Sequence, residues 1–113
     1  MSLDRDKFVY ELLDECKCSD EEFFVLVSGI DWENPKELSD FLDILSDLIR
    51  QGYLSALYNN DSIDVSRQTL QDYVDQRLMI GEALDQYPIS GQEFSFETTE
   101  EGIRYLNPED RPI

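Results

Sequence analysis

The sequence predicts a single, mainly α domain that carries a small β-hairpin, an α+β fold around one core. Three observations predict it. Residues 34–51 form a capped amphipathic pattern that stops at Gly52 and runs straight into the strand formers Tyr53 to Tyr58. Phe94-Ser95-Phe96 alternates as a return strand does, and a short helical segment to Leu106 follows it. The 113 residues, 41% hydrophobic and 12% aromatic, suffice for one core and not for two.

In chain order, residues 3–16 place Val9, Leu12, Leu13 and Cys16 at helical spacing against Lys7, Glu11, Asp14 and Glu15, a surface helix with one buried stripe. Ser2 or Asp4 caps it. Ser19 to Glu22 matches a capping box, while Phe23-Phe24-Val25-Leu26-Val27 is rich in strand formers. The capping signal favours a helix from Asp20 to Ser28, with Phe23, Leu26, Val27 and Ile30 on its apolar face. Trp32, in the turn that follows, reads as a cover for the core.

The third helix carries the strongest signals. Asn34 is an N-cap, Pro35 sits at the first helical position, and Glu37 completes an Asn-x-x-Glu box. Leu38, Phe41, Leu42, Leu45, Leu48 and Ile49 continue as one stripe. Asn59 to Ser62 is a turn cluster; with no glycine at the sixth position and no glutamate at the twelfth, it is not a calcium loop. From Ser66 a helical pattern resumes, with Leu70, Tyr73, Val74, Leu78 and Leu84 on one side. Gly81 breaks or bends it and Pro88 ends it. Thr98 or Thr99 caps the last helix, which buries Ile103, Tyr105 or Leu106. Residues 107–113 read as a loosely held tail.

Nine basic residues against 26 acidic ones give a formal charge of −17. Such a field repels polyphosphates and anionic lipid and favours basic partners. No apolar run reaches the length of a membrane span, and the N-terminus lacks a secretory pattern, so the expected location is cytoplasmic. Cys16 and Cys18 form a lone Cys-x-Cys in a chain without histidine. A closed zinc site needs a second ligand pair, so no metal or other cofactor is expected. Cys16 reads as a core residue and Cys18 as a loop residue. Serine and threonine lack a histidine partner, and no glycine-rich phosphate loop is present. By elimination, the chain reads as a binding protein and not an enzyme.

Two stretches resemble the winged-helix superfamily of bacterial regulators. Leu45-Ser-Asp-Leu-Ile-Arg-Gln-Gly-Tyr-Leu54 is similar to the end of a recognition helix and the strand after it. Phe94-Ser-Phe-Glu-Thr-Thr-Glu-Glu-Gly-Ile-Arg-Tyr-Leu106 is similar to the strand and helix after the wing, with Thr99, Gly102 and Leu106 at the matching positions. The resemblance implies a winged-helix-like domain over residues 1–113, with 59–92 as a helical insertion between the two wing strands. It also implies that the exposed face of the third helix is the working surface. That face carries Lys36, Asp40, Asp43, Asp47 and Arg50, with Ser39 and Ser46 beside them. Two cations against three carboxylates argue against DNA there.

The expected function is therefore an acidic, non-enzymatic interaction module, regulatory, accessory or of immunity type, that binds a protein with a basic surface and could act as a nucleic-acid mimic. The five residues of the third helix are the candidate partner site, and a solvated helix face is their plainer explanation. The alternative is a DNA-binding transcriptional regulator. An exposed stripe on the 66–84 helix would suit a homodimer.

Overall fold

The computed structural model describes residues 4–107. Nine elements follow in order: α1 (Arg5–Glu15), β1 (Glu21–Glu22), α2 (Phe23–Val27), α3 (Pro35–Arg50), β2 (Leu54–Tyr58), β3 (Asp61–Ile63), α4 (Arg67–Met79), β4 (Phe94–Thr98) and α5 (Glu100–Leu106). The strands form one antiparallel sheet in the order β1-β4-β2-β3. The fold class is α+β as expected, but the sheet has four strands where a hairpin was anticipated. Ser2 and the tail from residue 108 lie outside the described residues.

α3 forms as its sequence dictates. Asn34 Oδ1 accepts from the amides of Lys36 and Glu37 at 3.0 and 3.3 Å, two of the donors a helix start leaves unpaired. The Glu37 carboxylate bonds the Asp31 amide at 2.6 Å, closing the preceding turn and not the capping box. Leu38, Phe41, Leu42, Ile44, Leu45 and Leu48 are buried, and Ile49 is partly buried against the same core. Gly52, at φ +82°, ends the helix. Its amide bonds Ile49 O and the Tyr53 amide bonds Leu48 O, at 3.1 and 3.0 Å, the paired bonds of a Schellman cap. β2 leaves directly from that cap.

β2 pairs with β4 from Leu54↔Thr98 to Tyr58↔Phe94. Residues 59–93 between them are more than a helical insertion. Asn59 and Asn60, at φ +52° and +68°, make a two-residue turn whose twist suits a hairpin, so Asp61–Ile63 returns along β2 as an edge strand. α4 then packs against α3, capped by Ser66 Oγ accepting from the Thr69 amide at 3.1 Å. Gly81, at φ +82°, closes it with the same pair of bonds, Gly81 N to Leu78 O and Glu82 N to Arg77 O, both 3.0 Å. Leu70, Val74 and Leu84 are buried as expected. Leu78 is 41% exposed, and Arg77 takes the inward position at only 4%. The helix stops at Met79, so Leu84 reaches the core from the following segment.

The expected helix over 20–28 is shortened to Phe23–Val27. Glu21 and Glu22 pair instead with Phe96 and Ser95 of β4, whose far edge would otherwise be bare. The Ser19 capping box is not used; α2 has no side-chain cap of its own, and the Phe24 amide is met by Glu93 Oε2 at 3.3 Å. A distant carboxylate thus replaces a local one. Phe23, Leu26 and Val27 are buried, and Ile30 and Trp32 pack against the same core. Aromatic rings link the elements edge to face: Phe8 on Phe41, Phe41 on Phe23, Phe23 on Tyr73 and Tyr73 on Phe94, at centroid distances of 5.0–5.8 Å.

α1 is capped by Asp4, which accepts from the Lys7 amide at 3.4 Å. Its C-terminal end is tied to the sheet, because Thr98 donates from its amide to Cys16 O at 3.1 Å and from its hydroxyl to Leu13 O at 2.7 Å. Cys16 is buried and Cys18 exposed. Burial, reinforced by the carboxylates of Glu15, Glu21 and Asp20, pushes the Cys16 thiol up to about 12, which leaves it a protonated core residue.

Thr99 is the cap of α5: its Oγ1 accepts from the Gly102 amide at 3.1 Å and donates to Gly52 O at 2.6 Å. One hydroxyl therefore joins the end of α3 to the start of α5. Of the expected apolar positions, Leu106 is buried, Tyr105 partly so, and Ile103 is 37% exposed. Thr99→Ala is expected to lower stability by about 1–2 kcal/mol, the cost of a cap together with a second bond, and Thr99→Ser to recover most of it in a urea titration.

Candidate functional site

Ion pairs within the chain engage all three carboxylates on the exposed face of α3. Lys36 Nζ holds Asp40 at 2.7 Å and Arg50 holds Asp47 at 2.7 Å, pairs that helical spacing brings together. Two further cations arrive from elsewhere. Arg5 of α1 reaches Asp47 at 3.1 Å. Arg67 of α4 reaches Asp43 at 2.6 Å and Ser39 Oγ at 3.4 Å. So Lys36, Asp40, Asp43, Asp47 and Arg50 do share one face, but α1 and the 59–93 segment supply that face with its balance. Four of the nine basic residues meet three of the 26 acidic ones here, leaving five cations against 23 carboxylates over the rest of the sequence.

A second constellation was not visible as such in the sequence. α4, the β2–β3 hairpin, the start of β4 and the segment after Gly81 enclose a cleft of about 410 Å³, with Tyr58, Ile63, Ile80, Pro88 and Phe94 among its walls. Tyr73 and Arg77 also line it, and both belong to a buried polar cluster. The Glu93 carboxylate accepts from the Tyr73 hydroxyl, from the Phe24 amide and, at 3.0 Å, from the Phe94 amide. Burial raises the Glu93 pKa above the ordinary carboxylate range, and the Tyr73, Phe94, Arg77 and Phe24 contacts restrain that rise. Burial, then the bond to Glu93, raises the Tyr73 phenol.

Arg77 ties this cluster to the chain after α4. Its Nη2 donates to Ala83 O and Gln86 O at 2.9 and 2.6 Å, and Nη1 donates to Leu84 O and the Tyr73 hydroxyl at 3.4 and 3.3 Å. Carboxylates flank the guanidinium: Glu93 Oε2 lies 4.0 Å from Nη1 and Glu82 Oε1 lies 3.7 Å from Nε. Nε itself has no hydrogen-bond partner. Glu82 in turn accepts from the Ile89 amide at 2.9 Å. The cluster holds the 82–89 segment in place, and two carboxylates against one guanidinium leave it formally negative. Arg77 follows Leu70 and Val74 at i+7 and i+3 on the buried face of α4, the spacing that marks it as inward in the sequence. Glu93, one residue before β4, carried no such mark.

Among the described residues, no group of three or more cysteine, aspartate or glutamate side chains could hold a metal ion, and no helix is long and apolar enough to cross a membrane. No protein-family model, curated protein or solved structure matches the chain.

Proposed function

We propose that the chain is a winged-helix-like, non-enzymatic interaction module, regulatory, accessory or of immunity type, whose partner presents a basic surface. One observation carries the reading: Arg5, Lys36, Arg50 and Arg67 are all engaged by carboxylates of α3, so among the described residues the face that would read DNA in a winged helix has no uncommitted row of cations. Phosphate binding requires such a row. The remainder of the molecule is strongly acidic, which steers basic surfaces toward it and repels nucleic acid. The winged-helix comparison is supported by the α3–β2 connection through Gly52, by β2 pairing with β4, and by the roles of Thr99, Gly102 and Leu106 at the start and core side of α5.

Because ion pairs already balance the α3 face, it offers a basic partner little net attraction, and the proposed contact surface lies elsewhere. The test is mobility of random and genomic duplex DNA at about 50 mM salt, where phosphate contacts are strongest. No shift is expected up to micromolar protein. A clear shift would replace this reading with that of a transcriptional regulator.

A further inference from the structure

Among the described residues, five of the seven exposed large hydrophobics fall between positions 78 and 89: Leu78, Met79, Ile80, Tyr87 and Ile89. Ile80 is 61% exposed and lines the cleft; Ile89, between the lining residues Pro88 and Ser90, is 88% exposed. An exposed apolar side chain in the wall of a concave surface, as Ile80 is, marks an interaction site more than a scattered single residue does. The cleft volume, about 410 Å³, falls within the range of about 300–1,000 Å³ in which proteins hold ligands.

Charge selects the occupant. Arg77, the one cation lining the cleft among the described residues, is 4% exposed and already bonded to three backbone carbonyls. Asp72, which is exposed, also lines it, while the Glu82 and Glu93 side chains, 6% and 4% exposed, face Arg77. The walls are thus largely apolar, with the exposed carboxylate of Asp72 at the margin, inside a molecule of net charge −17. A second copy of this chain would bring the same charge and be repelled, whereas a basic segment would be steered in. We propose that this cleft is the docking groove for a protein segment that inserts a large apolar side chain between Ile80, Pro88 and Phe94 and sets a lysine or arginine residue against Asp72. The proposal rests on the reading of the chain as a binder of basic proteins and gives that reading a location.

The test uses two short synthetic peptides of equal positive charge, one alternating lysine with tryptophan and leucine, the other oligolysine, titrated into the full chain at about 150 mM salt to screen loose surface attraction. The amphipathic peptide is expected to bind at least about tenfold more tightly. Its amide shift changes should concentrate at residues 58–63, 72–82 and 88–94. Ile80→Ser with Ile89→Ser, both exposed and tolerable to the fold, should weaken it about tenfold or more; Tyr10→Ser, an exposed ring on α1, should leave it unchanged. Shifts centred on α3 or spread evenly would overturn the cleft and leave the basic-partner reading standing. No binding of either peptide would sink both. Self-association abolished by the two isoleucine substitutions would make a second copy the occupant and overturn the proposal.

Discussion

Arg77→Met is expected to destabilise the fold by about 3–5 kcal/mol, the range for removing one partner from a buried ionic cluster. The substitution keeps most of the buried volume, so packing is not the main loss. It strips the donor from Ala83 O, Leu84 O and Gln86 O and leaves Glu82 and Glu93 without their flanking cation. Of these, the uncompensated charge dominates, since each neutral bond contributes only about 1 kcal/mol net.

The loss should depend on pH, with a determinable sign. The folded-state pKa of Glu93 is already raised by burial, and Arg77 is one of the contacts restraining it. A carboxyl whose folded pKa lies above its unfolded value, about 4.3, carries no penalty below that value. The penalty grows as pH rises through the folded pKa and is complete above it. Without Arg77 the folded pKa moves higher, so the deficit of the variant should be larger near neutrality than in mild acid. Urea titrations of both proteins across that window measure it. Adding Glu93→Gln should recover part of the loss at neutral pH, a coupling a double-mutant cycle resolves. A deficit under 1 kcal/mol, or one independent of pH, would show that the cluster is not the clamp its geometry describes.

α3 was legible because local and tertiary demands agree. Asn34, Pro35, the apolar stripe and Gly52 each act within one or two turns, and each acts in the structure as the sequence implies. α2 departs from its sequence pattern at its start for the opposite reason: the Ser19 box is a sound local signal, but the open edge of β4 claims Glu21 and Glu22. β3 leaves no pattern in the sequence because two asparagines at positive φ convert a polar cluster into a hairpin turn, and the three residues after them are too few to alternate.

The α3 face divides along the same line. Lys36–Asp40 and Asp47–Arg50 follow from spacing. Arg67–Asp43 and Arg5–Asp47 span 24 and 42 residues, and only the folded chain brings them together. What reads in sequence as three aspartates opposed by two cations is, in three dimensions, three aspartates opposed by four. Arg77 is a comparable case: its charge favours the surface and its register with Leu70 and Val74 faces inward, and the register prevails because three carbonyls and two carboxylates compensate the buried guanidinium.

Gly102→Ala is the second substitution with a large expected effect, and its sign runs against the usual rule. Alanine in a helix normally gains about 0.5–1 kcal/mol over glycine. Here an added Cβ would lie 2.3 Å from Tyr53 O and 2.6 Å from Thr98 Cγ2. Tyr53 O cannot retreat freely, because it accepts the Thr99 amide at 3.1 Å and follows directly on the Gly52 cap. Thr98 is held by its bonds to Leu13 and Cys16. The clash must therefore shift α5 as a unit, loosening Leu106 from the core and straining the Thr99 bridge to α3. Overpacking of this kind costs about 1–3 kcal/mol, and the loss of the cap bond places the expected value near the upper end, about 3 kcal/mol after the propensity gain. Gly29→Ala is the internal control, since its Cβ would meet Leu26 O at an ordinary 3.4 Å; it should stay within about 0.5 kcal/mol of the parent. Hydrogen exchange provides the second measurement: the amides of Ile103 to Leu106 should lose protection in Gly102→Ala while those of α3 keep theirs. Equal stability of the two glycine variants would mean that α5 accommodates a methyl group and that the close approach of helix to strand is not what holds it.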